Sequence, residues 1–256
     1  MKTKLLTLVL SLAAALIVPA KATTLGAIVT SRGVAIAIDS RETNAVGTVV
    51  TDLGNKLDVI DGTAVACAGV VSWAKGGDVF SVARQAFVGK DTFAERVKAF
   101  KTLVTQAMST SAACLSEGDP CYKQYLAGAP LLYVVMAGTN DNETVLSLIT
   151  VKMVKGQGGS TSLACTSRTI TKDDNHGNGG SIMLGTDHAR SILDKEGDFW
   201  LHYGMLDGVI HFVRQGLSGN DGMSGGTIDS LVMTNRGYRF ISRKGREGRF
   251  TEVAAR

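Results

Sequence analysis

Thr23 is the residue with the clearest chemical potential, because the chain is expected to be cut just before it. A short basic start, an apolar run from Leu5 to Val18 and small residues ending at Ala22 predict a secretory signal peptide over residues 1–22. The apolar run is shorter than the ~20 residues that a membrane-spanning helix needs, although an uncleaved anchor is the alternative interpretation. We therefore expect a bacterial protein that is exported to the periplasm or secreted, with Thr23 as its first residue.

A threonine at the very start of a chain carries its own general base. Its hydroxyl is a weak nucleophile unless a base lies beside it. The free α-amine of the same residue, with a reference pKa of about 7.7 to 8, is such a base near neutral pH. Since many exported proteins begin with threonine by chance, the position alone does not establish this chemistry.

The residues after Thr23 resemble the start of mature proteasome β-subunits. The segment Thr23-Thr24-Leu25-Gly26-Ala27-Ile28-Val29 is followed by Gly33-Val34-Ala35-Ile36-Ala37-Ile38-Asp39-Ser40-Arg41. In that family an aspartate lies sixteen positions after the catalytic threonine, and the same spacing from Asp39 selects Thr23 over Thr24. The resemblance implies a threonine-type endopeptidase with the N-terminal-nucleophile hydrolase fold.

The resemblance also implies the partners of the nucleophile. Lys56 matches the family's lysine with one inserted residue, and it would keep a positive charge beside Thr23 while Asp39 holds it in position. Gly69, at the end of Ala66-Cys67-Ala68-Gly69, matches the glycine whose N–H forms the oxyanion hole.

Two further segments match the family farther along the chain. Asp221-Gly222-Met223-Ser224-Gly225-Gly226 resembles a motif in which Asp221 and Ser224 would bond around the threonine amine. Thr186 lies where the family usually has serine and would be an auxiliary hydroxyl. Cys67 and Glu42 match the floor and wall of the substrate pocket, which predicts a preference for medium apolar or basic side chains.

Hydrophobic patterning predicts one domain over residues 23–256. Strand-like stretches at the start, middle and end of the chain enclose two regions of helical periodicity. Thr92 and Glu95 predict a capped helix, and the run from Trp200 to Leu217 predicts a second helix. The predicted fold class is α/β (α+β), a four-layer αββα sandwich of two mainly antiparallel sheets.

Composition limits the partners and the cofactors. Loss of the three lysines in residues 1–22 lowers the formal net charge from +4 to +1, which does not suggest nucleic acid. Cys114 and Cys121 flank a polar loop and are predicted to pair, whereas the state of Cys67 and Cys165 is open. No metal-ligand spacing occurs, and we expect no cofactor. The expected partners are peptide or unfolded-protein substrates and a homo-oligomer of open ring size, with no membrane after signal cleavage.

Three other functions remain open from the sequence. The serine in Gly222-Met223-Ser224-Gly225-Gly226 also suits a trypsin-like protease, but all four histidines, from His176 to His211, lie shortly before it rather than in an early strand. A small-amide acylase of the same superfamily would keep the mechanism and change the substrate. A catalytically silent scaffold or binding protein would keep the fold without the reaction.

Overall fold

The computed structural model describes most of the chain after the predicted signal peptide. The described residues are 23–43, 48–73, 77–111, 118, 122–156, 160–174, 179–185, 187–196, 200–219, 222, 224–244 and 246–247. The predicted signal peptide and the predicted Cys114–Cys121 disulfide lie outside them.

The described residues form fifteen strands and six helices. The strands are β1 Leu25–Thr30, β2 Gly33–Asp39, β3 Glu42–Thr43, β4 Val49–Thr51, β5 Leu57–Ile60, β6 Thr63–Gly69, β7 Ser72–Trp73, β8 Gly77–Asp78, β9 Pro130–Asn140, β10 Glu143–Lys155, β11 Thr161–Ile170, β12 Gly180–Leu184, β13 Ile228–Thr234, β14 Gly237–Arg243 and β15 Arg246–Glu247. The helices are α1 Val79–Phe87, α2 Phe93–Ser111, α3 Tyr122–Leu126, α4 Asp187–Glu196, α5 Trp200–Tyr203 and α6 Met205–Ser218.

Two sheets carry most of the strands. The first has the order β12-β1-β2-β13-β14-β15 and the second the order β11-β10-β9-β6-β5, and every pairing in both is antiparallel. The short pairs β3–β4 and β7–β8 stand apart from them. The protein is therefore a mixed α/β fold built on mainly antiparallel sheets, as the sequence predicts.

Strands β1 and β2 form the hairpin that presents the first residues of the predicted mature chain. Both strands are buried almost throughout, because apolar and small residues alternate on their two faces. Gly33 ends the tight turn with a φ of 132°, and a Cβ there would lie 2.3 Å from the carbonyl oxygen of Met233. Only glycine satisfies both conditions, so this residue sets the close approach of the hairpin to β13.

Apolar contacts join the sheets to each other and to the helices. One buried cluster contains inward residues of both sheets, such as Ile36 and Val135. A second joins the five-stranded sheet to α1 and α2 and includes the fully buried Phe100. A third joins β1 and β2 to α6 through Val209 and Phe212. The first sheet therefore buries opposite faces against the second sheet and against α6.

The structure corrects one predicted helix and confirms one predicted cap. The stretch from Trp200 to Leu217 is not one helix, because Gly204 has a φ of 83° and separates α5 from α6. At the start of α2, the Thr92 hydroxyl accepts from the Glu95 N–H at 3.2 Å, and the Glu95 carboxylate accepts from the Thr92 N–H at 3.1 Å. These reciprocal bonds are the predicted capping box. None of the helices in the described part of the chain is long and apolar enough to cross a membrane.

Candidate functional site

A buried lysine contacts the hydroxyl of Thr23. Lys56 lies just before β5, and its Nζ donates to Thr23 Oγ1 at 2.9 Å. Lys56 is 2% exposed and Thr23 is 7% exposed, so bulk water screens this contact very little. The two residues are thirty-three positions apart in sequence, and the packing of the two sheets brings them together.

Asp39 holds this pair in place from the end of β2. Its Oδ2 lies 3.4 Å from Lys56 Nζ and accepts from the N–H of Gly225 at 3.2 Å, while its Oδ1 accepts from the N–H of Thr24 at 2.8 Å. Burial raises the pKa of Asp39 above its ordinary value, while the Lys56 charge and the two N–H groups oppose that rise. The carboxylate thereby joins three separate parts of the chain, namely the start of β1, the residue before β5 and the loop before β13.

The arrangement favours an ionised threonine oxygen. A cation that donates to Oγ1 stabilises the alkoxide more than the neutral hydroxyl, and the effect is large where water is excluded. In the uncut chain the nitrogen of Thr23 is a peptide amide and cannot accept a proton. Cleavage after Ala22 would turn it into an amine, and the residue would then carry a nucleophile and a base together.

The two threonines at the start of the domain have different environments. Thr24 is fully buried, and its Oγ1 lies 3.3 Å from the Oγ of Ser224. Its backbone N–H donates to Asp39, whereas the hydroxyl of Thr23 contacts Lys56. The lysine contact therefore distinguishes Thr23 as the candidate nucleophile, in agreement with the spacing in the sequence.

The loop around Ser224 is held by residues that the sequence analysis did not assign to the site. Arg41 donates to the carbonyl oxygens of Gly222 at 3.1 Å and Ser224 at 3.4 Å, and its Nε donates to Asp52 Oδ1 at 2.6 Å. Ser40 contacts the hydroxyl of Thr227 at 3.0 Å. The signal for both was present in the Asp39-Ser40-Arg41 motif, of which only the aspartate received a role.

The predicted oxyanion-hole residue and the two predicted pocket residues differ in how far they are exposed to solvent. Gly69 ends β6 in an exposed position with a φ of 99°, and a Cβ there would lie 2.4 Å from the carbonyl oxygen of Leu131. The Cys67 thiol is fully buried, 3.8 Å from the carbonyl oxygen of Lys56, and burial raises its pKa. The Glu42 side chain packs against Gly54. The Cys67 side chain packs in the apolar cluster between the five-stranded sheet and α1 and α2, and its role in a substrate pocket stays a prediction.

Asp221 and Thr186, the remaining predicted site residues, lie outside the described residues. Ser224 is placed, and its contact with Thr24 puts it at the same site. In the part of the chain that the structure describes, no three His, Cys, Asp or Glu side chains are gathered so that they could hold a metal ion.

Comparison with known proteins assigns no family to this site. No protein-family model matches the chain, and no curated protein matches it. In the described residues, one buried polar cluster contains four of the residues that the sequence motifs indicate, namely Thr23, Asp39, Lys56 and Ser224.

Proposed function

We propose that this chain is an exported, proteasome-like N-terminal-threonine hydrolase that cleaves peptide bonds. The observation that carries the proposal is the 2.9 Å contact from the buried Lys56 ammonium to Thr23 Oγ1. It supports the proposal because the motif resemblance and the predicted signal cleavage point independently to the same threonine. The expected substrates are peptides or unfolded chains, and no cofactor takes part.

The proposed reaction proceeds in two steps. The free α-amine of Thr23 takes the proton of Oγ1, which attacks the substrate carbonyl carbon while the Lys56 charge stabilises the oxygen. The N–H of Gly69 would stabilise the carbonyl oxygen that becomes negative. The protonated amine gives its proton to the leaving amine, which leaves an ester on Thr23. Water then attacks the ester carbonyl carbon and gives a proton to the amine, which passes it to Oγ1 as the ester bond breaks, so that the acid product and the free enzyme are released.

The stability cost of the Lys56–Asp39 pair favours catalysis over a silent scaffold. Both side chains are almost fully buried. Buried ion pairs stabilise folded proteins little compared with apolar residues of similar volume, because both charges lose their hydration. Apolar residues would serve a scaffold at least as well as this pair, whereas a nucleophile needs the fixed charge.

The proposed fold places this site in a four-layer αββα sandwich of the N-terminal-nucleophile hydrolase type. The apolar cluster between the two sheets and the helical clusters on their other faces support this layering. A homo-oligomer of open ring size would follow from the same resemblance.

The test is intact mass and N-terminal sequencing of the exported protein, with and without a threonine-directed covalent inhibitor. We expect a chain that begins at Thr23 and gains one inhibitor mass on that residue. A chain that starts elsewhere would lack the α-amine base and would overturn the proposal. A panel of fluorogenic peptides and small amides distinguishes a peptidase from an acylase of the same mechanism.

Matched variants separate the threonine mechanism from a serine mechanism. Thr23→Ser keeps a hydroxyl and an amine and should keep the inhibitor adduct, whereas Thr23→Ala should lose both the adduct and hydrolysis. Ser224→Ala should weaken hydrolysis and still form the adduct on Thr23. The opposite result, with Ser224 as the essential and labelled residue, would favour the serine-type alternative.

A further inference from the structure

The side chain of Thr24 is enclosed by three segments that meet behind the candidate nucleophile. A Cβ at Gly216 of α6 would lie 2.6 Å from both Oγ1 and Cγ2 of Thr24, and a Cβ at Gly185 would lie 3.3 Å from Cγ2. The third neighbour is Ser224, whose hydroxyl lies 3.3 Å from Thr24 Oγ1. Two glycines therefore make room for a threonine that is fully buried.

The backbone of Thr24 is fixed as firmly as its side chain. Its N–H donates to Asp39 Oδ1 at 2.8 Å, and its carbonyl oxygen accepts from the N–H of Asp39 at 3.1 Å. Thr23 is joined to this residue by one peptide bond. Any rotation of Thr24 would move the Thr23 hydroxyl relative to Lys56 Nζ, and a nucleophile tolerates little misplacement.

We propose that Thr24 is a positioning residue, whose buried hydroxyl orients Ser224. This inference rests on the proposed threonine mechanism. Ser224 is 5% exposed, and a hydroxyl can rotate among several directions, so each hydrogen-bonding neighbour helps to fix its direction. The Thr24 hydroxyl is one such neighbour, and it lies on the side of the chain that packs on α6, opposite to the side of Thr23.

A role for the hydroxyl predicts different effects for two conservative substitutions of Thr24. Thr24→Val keeps the shape of the side chain and replaces the hydroxyl by a methyl group, so it removes only the contact with Ser224. Thr24→Ser keeps the hydroxyl and removes the methyl group. We expect kcat to fall about tenfold in the valine variant, the rate equivalent of about 1.4 kcal/mol, with KM within twofold of wild type. The serine variant should keep kcat within about threefold.

The experiment measures kcat, KM, inhibitor labelling and thermal unfolding for the full exported chain and both variants. Ser224→Ala alone and combined with Thr24→Val completes a double-mutant cycle. If Thr24 acts through Ser224, the double variant should be no slower than Ser224→Ala. Should the valine variant fail to fold, Thr24→Ala replaces it in the same cycle, because its side chain is smaller and cannot clash.

The outcomes separate this inference from the proposed function. An active wild type with an equally active Thr24→Val variant, or with additive effects in the cycle, overturns the positioning role alone. A parallel loss of kcat and thermal stability in both conservative variants would show a merely structural residue and also overturns it. A wild-type protein that gains no inhibitor mass on Thr23 overturns the proposed function, and this inference with it.

Discussion

Replacing Lys56 by methionine tests the electrostatic argument most directly. Methionine has a similar length and no charge, so Lys56→Met removes the ammonium from its 2.9 Å contact with Thr23 Oγ1. At an effective dielectric constant of about 20, two unit charges about 3 Å apart interact by roughly 5 to 6 kcal/mol. The Asp39 carboxylate and the water that enters the variant weaken this interaction between the lysine and the threonine oxygen. We therefore expect kcat/KM to fall about 10³-fold, which corresponds to about 4 kcal/mol.

The same substitution should also destabilise the folded protein. It leaves the Asp39 carboxylate buried without its cation, and removing one partner of a buried pair costs about 3–5 kcal/mol. The double variant Lys56→Met with Asp39→Asn removes both charges and should regain much of that stability while staying inactive. This pairing distinguishes a catalytic charge from a structural one, because activity and stability then change independently.

The assay is hydrolysis of a fluorogenic peptide together with the rate of covalent labelling of Thr23. Chemical denaturation supplies the free energy of unfolding, and mass spectrometry checks that each variant is still cut after Ala22. Lys56→Arg is the matched control, since it keeps the charge and should lose less activity than Lys56→Met. A methionine variant within tenfold of the wild-type kcat/KM would refute the reasoning.

Three further predictions concern titration, packing and thiol reactivity. Burial raises the pKa of Asp39 in the folded protein. The contribution of Asp39 to stability is therefore fully present below its unfolded pKa of 3.8 and is lost as pH rises through its folded pKa. Denaturation at successive pH values should show wild type losing stability relative to Asp39→Asn over that pH range. Gly216→Ala should cost about 1–3 kcal/mol of unfolding free energy in chemical denaturation, because the new methyl group overlaps Thr24. A thiol reagent followed by mass spectrometry should label partly exposed Cys165 in the native protein and buried Cys67 only after unfolding.

Controls for these three predictions are available in the same chain. A stability difference between wild type and Asp39→Asn that stays flat or grows with pH would contradict the first. Gly118→Ala is the packing control, since a Cβ there meets nothing within 4 Å, and it should change stability little. Equal labelling rates for the two free thiols in the native protein would contradict the third. The predicted Cys114–Cys121 disulfide adds its own check, because neither of these cysteines should react before reduction.

Much of the fold was predictable because its strands have strong local signals. The hairpin from Leu25 to Asp39 combines alternating burial with a tight turn, and the structure has strands at both predicted positions. Strand β11 and helix α4 were not predicted. Strand β11 is largely exposed and polar and is defined by its ten-residue pairing with β10. In α4 the apolar residues are few, and its buried Ala189 joins the cluster around α6, so contacts from elsewhere stabilise it.

The amino-acid sequence alone determined which residues could do chemistry, since a signal-peptide boundary, a sixteen-residue spacing and two short motifs are local properties of the chain. The tertiary structure decided which of them meet. Thr23 lies just before a strand of the first sheet and Lys56 just before a strand of the second, and Asp39 joins them with the loop at Gly225. The structure also separated two adjacent threonines. Successive residues point to opposite faces of an extended chain, so Thr23 faces the buried lysine between the sheets while Thr24 faces Gly216 on α6.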